Sequence, residues 1–360
     1  MRRTAALSVG GGPAGSAAAI RLARGGVAPL GVERHADRDA LCGGFVSWRT
    51  IDRLARLGVD ADTLNRDRLT QVTLFAGGRV RHAPLPRPAI GVSRRRLDTV
   101  LRAAAMQAGA GVETGVTVRG IADGVAMLEG DDGIAAEAIF LATGKHDLRG
   151  HARPADARGR DPTLGLRVRL APSAALTRAL AGQIELHLFD RGYAGIALQE
   201  DGSANLCMAV HRSRLTAAGS PAALLRALGE AEPRRGERLA GIDDAAGIDA
   251  IANVPYGWRR REGEAGLFRL GDQAAVIPSL AGEGMGIALA SGIGAAEALL
   301  RDGPAGAVAW QAGFARTVAR PMAVAGVVRR IAEHRWAPIG LPMMPPSLIA
   351  LIAAATRVTA

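Results

Sequence analysis

The sequence predicts an α/β fold, Rossmann-like at its amino terminus, interrupted by an inserted antiparallel β-sheet and finished by a helical carboxy-terminal segment. Three observations predict it. A short apolar strand runs into a glycine-rich turn and a helix, giving a βαβ opening. Between about Leu164 and Val210 the apolar pattern changes to period two. After Pro255 a strand and a long small-residue helix return, so the first fold is left and re-entered.

The opening strand is Ala5–Val9, followed by a helix Ala14–Arg24 and a second strand Leu30–Glu33. Gln71–Ala76 and Arg79–His82 alternate around Gly77-Gly78, the pattern of a β-hairpin. Ser93 caps a helix running to about Ala108, since its hydroxyl can accept from a free first-turn N–H. Strands are expected near Gly111–Val118, Val125–Leu128 and Ala135–Ala142. Four more, Leu166–Leu170, Ile184–Phe189, Tyr193–Leu198 and Ala204–Val210, are expected to have no helices between them and to form the antiparallel sheet. A helix-rich stretch Pro221–Leu239 follows, then the strand Gly266–Leu270. The last forty residues read as helical and end in the apolar segment Leu348–Ala355.

Composition narrows the class. A chain of 360 residues with 48% hydrophobic content can bury a full core. No run approaches eighteen apolar residues, so no transmembrane helix is expected. Met1-Arg2-Arg3 and the apolar run behind it read as a buried strand and not a signal peptide. Two cysteines, Cys42 and Cys207, give neither a disulfide framework nor a metal cluster, and suit a reducing cytoplasm. The formal charge of +11 comes from arginines scattered among acids, with 3% aromatics and no nucleic-acid motif, so no nucleic-acid partner is expected. Lys145 is the only lysine among 45 basic residues.

The motifs point to a dinucleotide. Gly10-Gly11-Gly12-Pro13-Ala14-Gly15 fits G-x-G-x-x-G between strand and helix. Gly10 allows the tight turn, Gly12 the approach of a pyrophosphate, and Gly15 the close packing of helix on strand. The first helix turn, Pro13 and Ala14 included, then offers free N–H groups to phosphate. Glu33, eighteen residues after Gly15, stands where an acid accepts from ribose hydroxyls, with Arg34 beside it. Arg94, Arg95 and Arg96 crowd a helix amino terminus, where cations oppose the dipole unless an anion is near. Arg94 is the preferred contact for a pyrophosphate. Further on, Gly271-Asp272 ends a strand, and Gly284-Met285-Gly286 opens a helix after Pro278. Asp272 can bind a ribityl hydroxyl, and the N–H groups of the helix can meet the pyrimidine edge of a flavin.

Together the fingerprint, Arg94 before Leu97-Asp98, and the Gly271-Asp272…Pro278…Gly284-Met285-Gly286 segment resemble p-hydroxybenzoate hydroxylase-type flavoproteins over residues 4–300 or so. Within them, Cys42-Gly43-Gly44-Phe45-Val46-Ser47 is similar to the Cys-Gly loop of the geranylgeranyl reductase branch. The resemblance implies FAD as cofactor. It implies an FAD-binding domain made of residues 1–70, 91–160 and 256–320, and a substrate-binding sheet of 71–90 and 161–255. Residues 321–360 form the carboxy-terminal helical segment.

Two departures from the family pattern matter. Thr143, in Ala142-Thr143-Gly144-Lys145-His146, stands where the hydroxylases carry an Asp. Direct use of NAD(P)H is therefore uncertain, and a separate electron donor is an open alternative. Thr143 and Gly144 are still expected against the cofactor. Lys145 and His146 are read more as a plain surface turn than as phosphate contacts. In the inserted sheet, Tyr193-Ala194-Gly195-Ile196-Ala197 replaces an aromatic-rich strand whose i, i+2 and i+4 residues share a face. Gly195 and Ala197 would make the pocket roomier. Phe45, Ser47, Tyr193, Gly195, Ala197 and Pro278 are the expected substrate contacts. Cys42 and Tyr193 are the candidate catalytic side chains, and no metal is expected.

The substrate class implied is a lipophilic small molecule, isoprenoid- or polyketide-like. Two reactions stay open. One transfers hydride between flavin N5 and a carbon–carbon double bond, as the Cys-Gly loop implies. The other hydroxylates or epoxidises through a C4a-hydroperoxide. A flavin-binding protein without turnover is the third reading. The apolar carboxy terminus either closes a core or makes a peripheral membrane contact.

Overall fold

The computed structural model describes residues 1–130, 132–242, 247–340 and 343–359. Two sheets organise them. The first begins with β1 (Arg2–Val9), turns through α1 (Pro13–Arg24) and pairs in parallel with β2 (Leu30–Glu33). Its order is β6 (Gly111–Thr114), β2, β1, β9 (Gly133–Leu141), β8 (Val125–Leu128) and β7 (Val118–Ala122). β15 (Leu267–Arg269) returns to pair in parallel with β9. The strand expected at Gly111–Val118 is thus two. Gly115, at φ +79°, turns the chain out of β6 before β7 starts in antiparallel pairing with β8.

The second sheet runs β14 (Ile248–Val254), β10 (Thr163–Leu170), β13 (Ala204–His211), β12 (Gly192–Leu198), β11 (Gln183–Phe189), β4 (Leu69–Ala76), β5 (Arg79–Gly91) and β3 (Phe45–Val46). Three features differ from the sequence expectation. β14 was not foreseen, because its burial alternates weakly at the sheet edge. A helix, α5 (Ala174–Leu180), does lie between β10 and β11, capped by Ser173. β11 pairs with β4 in parallel, so the sheet is mixed. β3 also joins this sheet through β5, although it precedes the hairpin in sequence.

Alternation decides what each face of this sheet meets. Ala194, Ile196, Leu206 and Val210 pack on Leu176 and on Leu224 and Leu228 of α7 (Pro221–Glu230), which sits between α6 (Arg212–Ala218) and α8 (Pro233–Leu239). The opposite face carries Val72, Leu74, Leu186, Tyr193 and Gly195, and remains open to a cavity.

The first sheet is covered by α1, by α4 (Arg94–Gln107), and by α9 (Gly284–Asp302). α9 approaches α1 so closely that a Cβ at Gly292 would collide with the Ala14 carbonyl. This is why that helix is built from small residues. Phe140 and Phe268 stack at 4.9 Å between β9 and β15, each fully buried. Each contributes about 1.5–3 kcal/mol by burial. The shorter helices α2 (Trp48–Arg56) and α3 (Ala61–Leu64) join β3 to β4. After α9 come α10 (Gly306–Thr317), α11 (Ala319–Ala332), α12 (Ala337–Gly340) and α13 (Pro346–Ala355), and α13 packs on β5 across the cavity.

Candidate active site

The glycine turn lies at the carboxyl end of β1. Gly10 sits at φ +113°, and a Cβ there would meet the Ala142 carbonyl of the neighbouring strand. A Cβ at Gly15 would strike the Gly10 carbonyl, so helix and turn pack in direct backbone contact. α1 starts at Gly12 with no side-chain cap, Pro13 supplying its first residue, which leaves early N–H groups for another acceptor. Glu33 Oε2 accepts from Gly11 N at 2.7 Å and Oε1 from His35 N at 3.1 Å, so the acid also fastens the turn. Arg34 is exposed beside it.

Of the three consecutive arginines, one faces this turn. Arg94 Nη2 would lie 3.2 Å from a Cβ on Gly12. Its Nε and Nη2 donate to Asp98 at 3.0 and 2.8 Å, a bidentate pair one helical turn apart. Burial opposes the Arg94 charge, but the Asp98 carboxylate outweighs it and holds the guanidinium above its ordinary value. Arg96 instead donates to the Thr63 carbonyl, and Arg95 lies exposed.

The third part is the turn after β15. Gly271 N donates to Ser291 Oγ at 2.8 Å, which presents Asp272 at the mouth of the groove. α9 then begins at Gly284, again without a side-chain cap, and open space surrounds the Gly284 Cα. Gly286 could not carry a side chain there, because a Cβ would strike the Glu283 carboxylate. Two uncapped helix amino termini, an inward arginine and a bare glycine cradle thus line one groove. That donor set fits a dinucleotide, which Gly12 and Arg94 would hold by its phosphates and the amino terminus of α9 by its ring.

Comparison with known proteins agrees. Residues 3–151 match the family described as FAD binding domain. The chain carries an FAD-binding domain. FAD is its cofactor, with Gly10, Gly12, Gly15 and Arg94 in the matched segment. Geranylgeranyl diphosphate reductase of Oryza sativa subsp. japonica is 35% identical over 126 residues, 33% of this chain. The matched segment spans about a quarter, 26%, of that relative. Over the whole fold, a flavoprotein/dehydrogenase from Cytophaga hutchinsonii superposes with a TM-score of 0.83 at 16% identity, covering 99% of this chain and 92% of that one. A geranylgeranyl bacteriochlorophyll reductase-like protein from Thermoplasma acidophilum gives 0.72 at 18% identity, with the same two coverages. These structures share the fold.

A cavity of about 660 Å³ adjoins the FAD groove, lined almost entirely by apolar side chains. Its floor is the open face of the second sheet. Its roof is α11 to α13. Its inner end is formed by Cys42, Lys145, Asp272, Gly284 and Met285. The loop carrying Cys42 is pinned to the second sheet. Asn205 Nδ2 donates to the Cys42 carbonyl at 3.1 Å, and Arg167 donates to Asp39 at 2.6 Å.

Lys145 is the main correction to the sequence reading, which favoured a surface turn. The turn is real: Thr143 Oγ1 donates to the His146 carbonyl at 2.7 Å, and His146 is exposed. It is also clamped, since Gln273 Nε2 donates to the Gly144 carbonyl and Arg153 Nη2 to the Lys145 carbonyl. The clamp turns the Lys145 side chain inward, with Nζ 3.8 Å from Asp272 Oδ2. Burial works against its charge, but Asp272 outweighs that and holds the ammonium above its ordinary value.

The expected substrate contacts divide. Phe45, Tyr193 and Gly195 line the cavity. Ala197 does not. The end of β5 crosses there and packs Ala197 among Phe45, Leu69 and Ala89. Ser47 is also a correction. It caps α2 and donates to Glu283 Oε2 at 3.1 Å, fully buried below the wall. Pro278 is buried at the start of a tight turn, while its neighbours Ile277 and Ser279 reach the cavity. The Tyr193 hydroxyl lies 2.5 Å from Ser279 Oγ and accepts from Leu280 N at 2.8 Å, so it braces that turn. Burial pushes its ionisation well above the usual phenol range. Sequence reasoning missed Cys207, Ile251 and Tyr256, which line the cavity from distant strands and turns. Burial pushes the Cys207 thiol up, so it stays protonated.

Proposed function

We propose that the chain is an FAD-dependent oxidoreductase acting on a carbon–carbon double bond of a lipophilic small molecule, isoprenoid- or polyketide-like. The observation that carries this reading is the position of the cavity. Its largely apolar lining includes Lys145, Asp272 and Gly284, residues that would border bound FAD. Apolar walls hold an apolar ligand at about 25 cal/mol per Å² removed from water. Bound FAD supplies the electron chemistry, and the protein supplies position and electrostatics.

The residues of the site have separable tasks. Asp272 keeps Lys145 an ammonium through the neutral range, which suits it to a fixed positive charge more than to a transferable proton. It can stabilise negative charge that develops on the reacting ligand. Tyr193 holds the Ser279–Leu280 turn against the cavity. Gly195 leaves room opposite Leu186 on the floor. Arg94 and the amino terminus of α1 bind and orient the phosphates.

The test is anaerobic reduction of the yellow protein, followed by addition of a polyprenyl alcohol in detergent. Reoxidation accelerated by the unsaturated compound, with a product two hydrogens heavier, is the expected result. No reoxidation by the compound until oxygen is admitted, with a product of that compound one oxygen heavier, would replace this reading with a monooxygenase. If neither compound nor oxygen reoxidises the flavin, the proposal of an oxidoreductase fails.

A further inference from the structure

We infer that the rim formed by α11, α12 and α13 docks on an anionic lipid bilayer, with the mouth of the cavity facing the lipid. Among the described residues, thirteen large apolar side chains are exposed, and seven of them fall between Val327 and Leu351. Exposure this concentrated marks an interaction surface; scattered single residues would not. Ile331 and Trp336 are each 56% exposed, Ile339 54% and Leu351 64%. Two of these, Ile331 and Trp336, also line the cavity, so the exposed patch and the cavity wall are continuous.

Charge selects the partner. From Gly303 to Ala360 the sequence holds six arginines and one acid, Glu333. That acid is buried and already paired, with Arg329 at 2.7 Å and His211 at 3.0 Å. Arg320 and Arg330 are exposed on α11 and Arg335 in the turn that follows it, with Arg316 exposed on the preceding α10. Arg335 lies 5.1 Å over the Trp336 ring, an arrangement of cation and indole suited to the headgroup layer. Apolar anchors with arginines and no free acid on α11 to α13 describe an interfacial surface, which lies on a bilayer without crossing it. No described helix is long and apolar enough to cross one. A protein partner of acidic character would meet the arginines but would not need a mouth that opens through the patch.

Passage of substrate from the bilayer into the cavity rests on the proposal of a lipophilic ligand; docking itself is read without substrate or turnover, so the two fail separately. The experiment is sedimentation of the FAD-loaded full chain with vesicles of phosphatidylglycerol and phosphatidylcholine, against phosphatidylcholine alone. Binding to the anionic vesicles that weakens in raised salt is expected. The pair I331E and W336E should weaken it by about tenfold or more, and R330E with R335E should abolish the preference for anionic lipid. Unchanged flavin absorbance and melting temperature show that each variant is folded, and I331S with W336S serves if the acidic pair is not. No binding to anionic vesicles, or binding indifferent to these variants, overturns the inference. So does a concentration-dependent dimer that W336E dissociates, which would assign the patch to a second copy of the chain.

Discussion

Arg357 Nη1 lies 2.7 Å from Oε2 of Glu283, joining the tail of the chain to the residue that precedes α9. Glu283 is fully buried, and it also accepts from Ser47 Oγ and from the backbone N–H of Val358. Arg357 further donates to the Gly282 and Ala281 carbonyls. Arg53 Nη1 also lies 3.7 Å from Oε1 of Glu283, so removing Arg357 leaves the buried carboxylate with one more distant cation and the two carbonyls without their donor. Arg357→Ala should therefore destabilise the protein by about 3–5 kcal/mol, measured by urea unfolding of the FAD-loaded protein. A loss below about 1 kcal/mol would show that the tail is not fastened this way.

Lys145 is expected to act through its charge. Lys145→Met should lower turnover by roughly 100-fold with FAD content unchanged, while Lys145→Arg retains part of the rate. Stopped-flow reoxidation with the unsaturated acceptor reads this directly. Equal losses in the two variants would mean that geometry, not charge, matters at this position.

Gly195 tests the floor of the cavity. A Cβ there would lie 3.3 Å from Leu186 Cδ2, close enough to intrude without striking backbone within 3.4 Å. Gly195→Leu and Gly195→Trp should weaken substrate binding progressively, by about tenfold or more for Trp, with the flavin spectrum intact. Unchanged affinity in a folded Trp variant would remove this strand from the binding surface.

The pyrophosphate contact can be separated from the structural pair. Arg94→Lys keeps a cation beside Asp98 but loses the fork, and should lower FAD affinity by about tenfold with modest loss of stability. Arg94→Met should also destabilise the apoprotein, because Asp98 is left buried alone. Titration of apoprotein with FAD, alongside urea melts, distinguishes the two effects.

His211 connects β13 to the end of α11. Its hydrogen bond to Glu333 raises its proton affinity above the ordinary histidine value, against the opposing effect of burial. A group whose folded value is raised contributes stability that is full below its unfolded value, about 6.5, and is lost as pH rises through the folded value. Unfolding free energy should thus fall as pH rises above about 6.5, and His211→Gln should flatten that part of the profile. An unchanged slope in the variant would place the titration elsewhere.

The FAD groove was legible because its chemistry is local. Gly10 to Gly15, and Gly284 to Gly286, lie within one turn of chain each; Gly10 and Gly15 meet backbone where a Cβ would stand, and Gly286 meets the buried Glu283 carboxylate. The cavity was less legible because it is assembled from afar. Phe45, Tyr193 and Gly195 follow from strand alternation, but Ala197 sits at the same spacing and is covered by β5, a crossing that its own strand does not encode. Ser47 was misplaced since a buried carboxylate 236 residues away claims its hydroxyl. Lys145 lay in a motif whose turn was evident; its inward direction depends on Gln273 and Arg153, neither adjacent in sequence.

The Glu283 anchor has a thermodynamic consequence. The same residue precedes the helix that would face FAD and fastens the tail that follows the roof of the cavity. If binding at one end is coupled to order at the other through Glu283, the coupling free energy acts equally in both directions. Cofactor loading should therefore slow amide exchange in α13. A ligand that holds the roof closed should, in turn, slow the release of FAD.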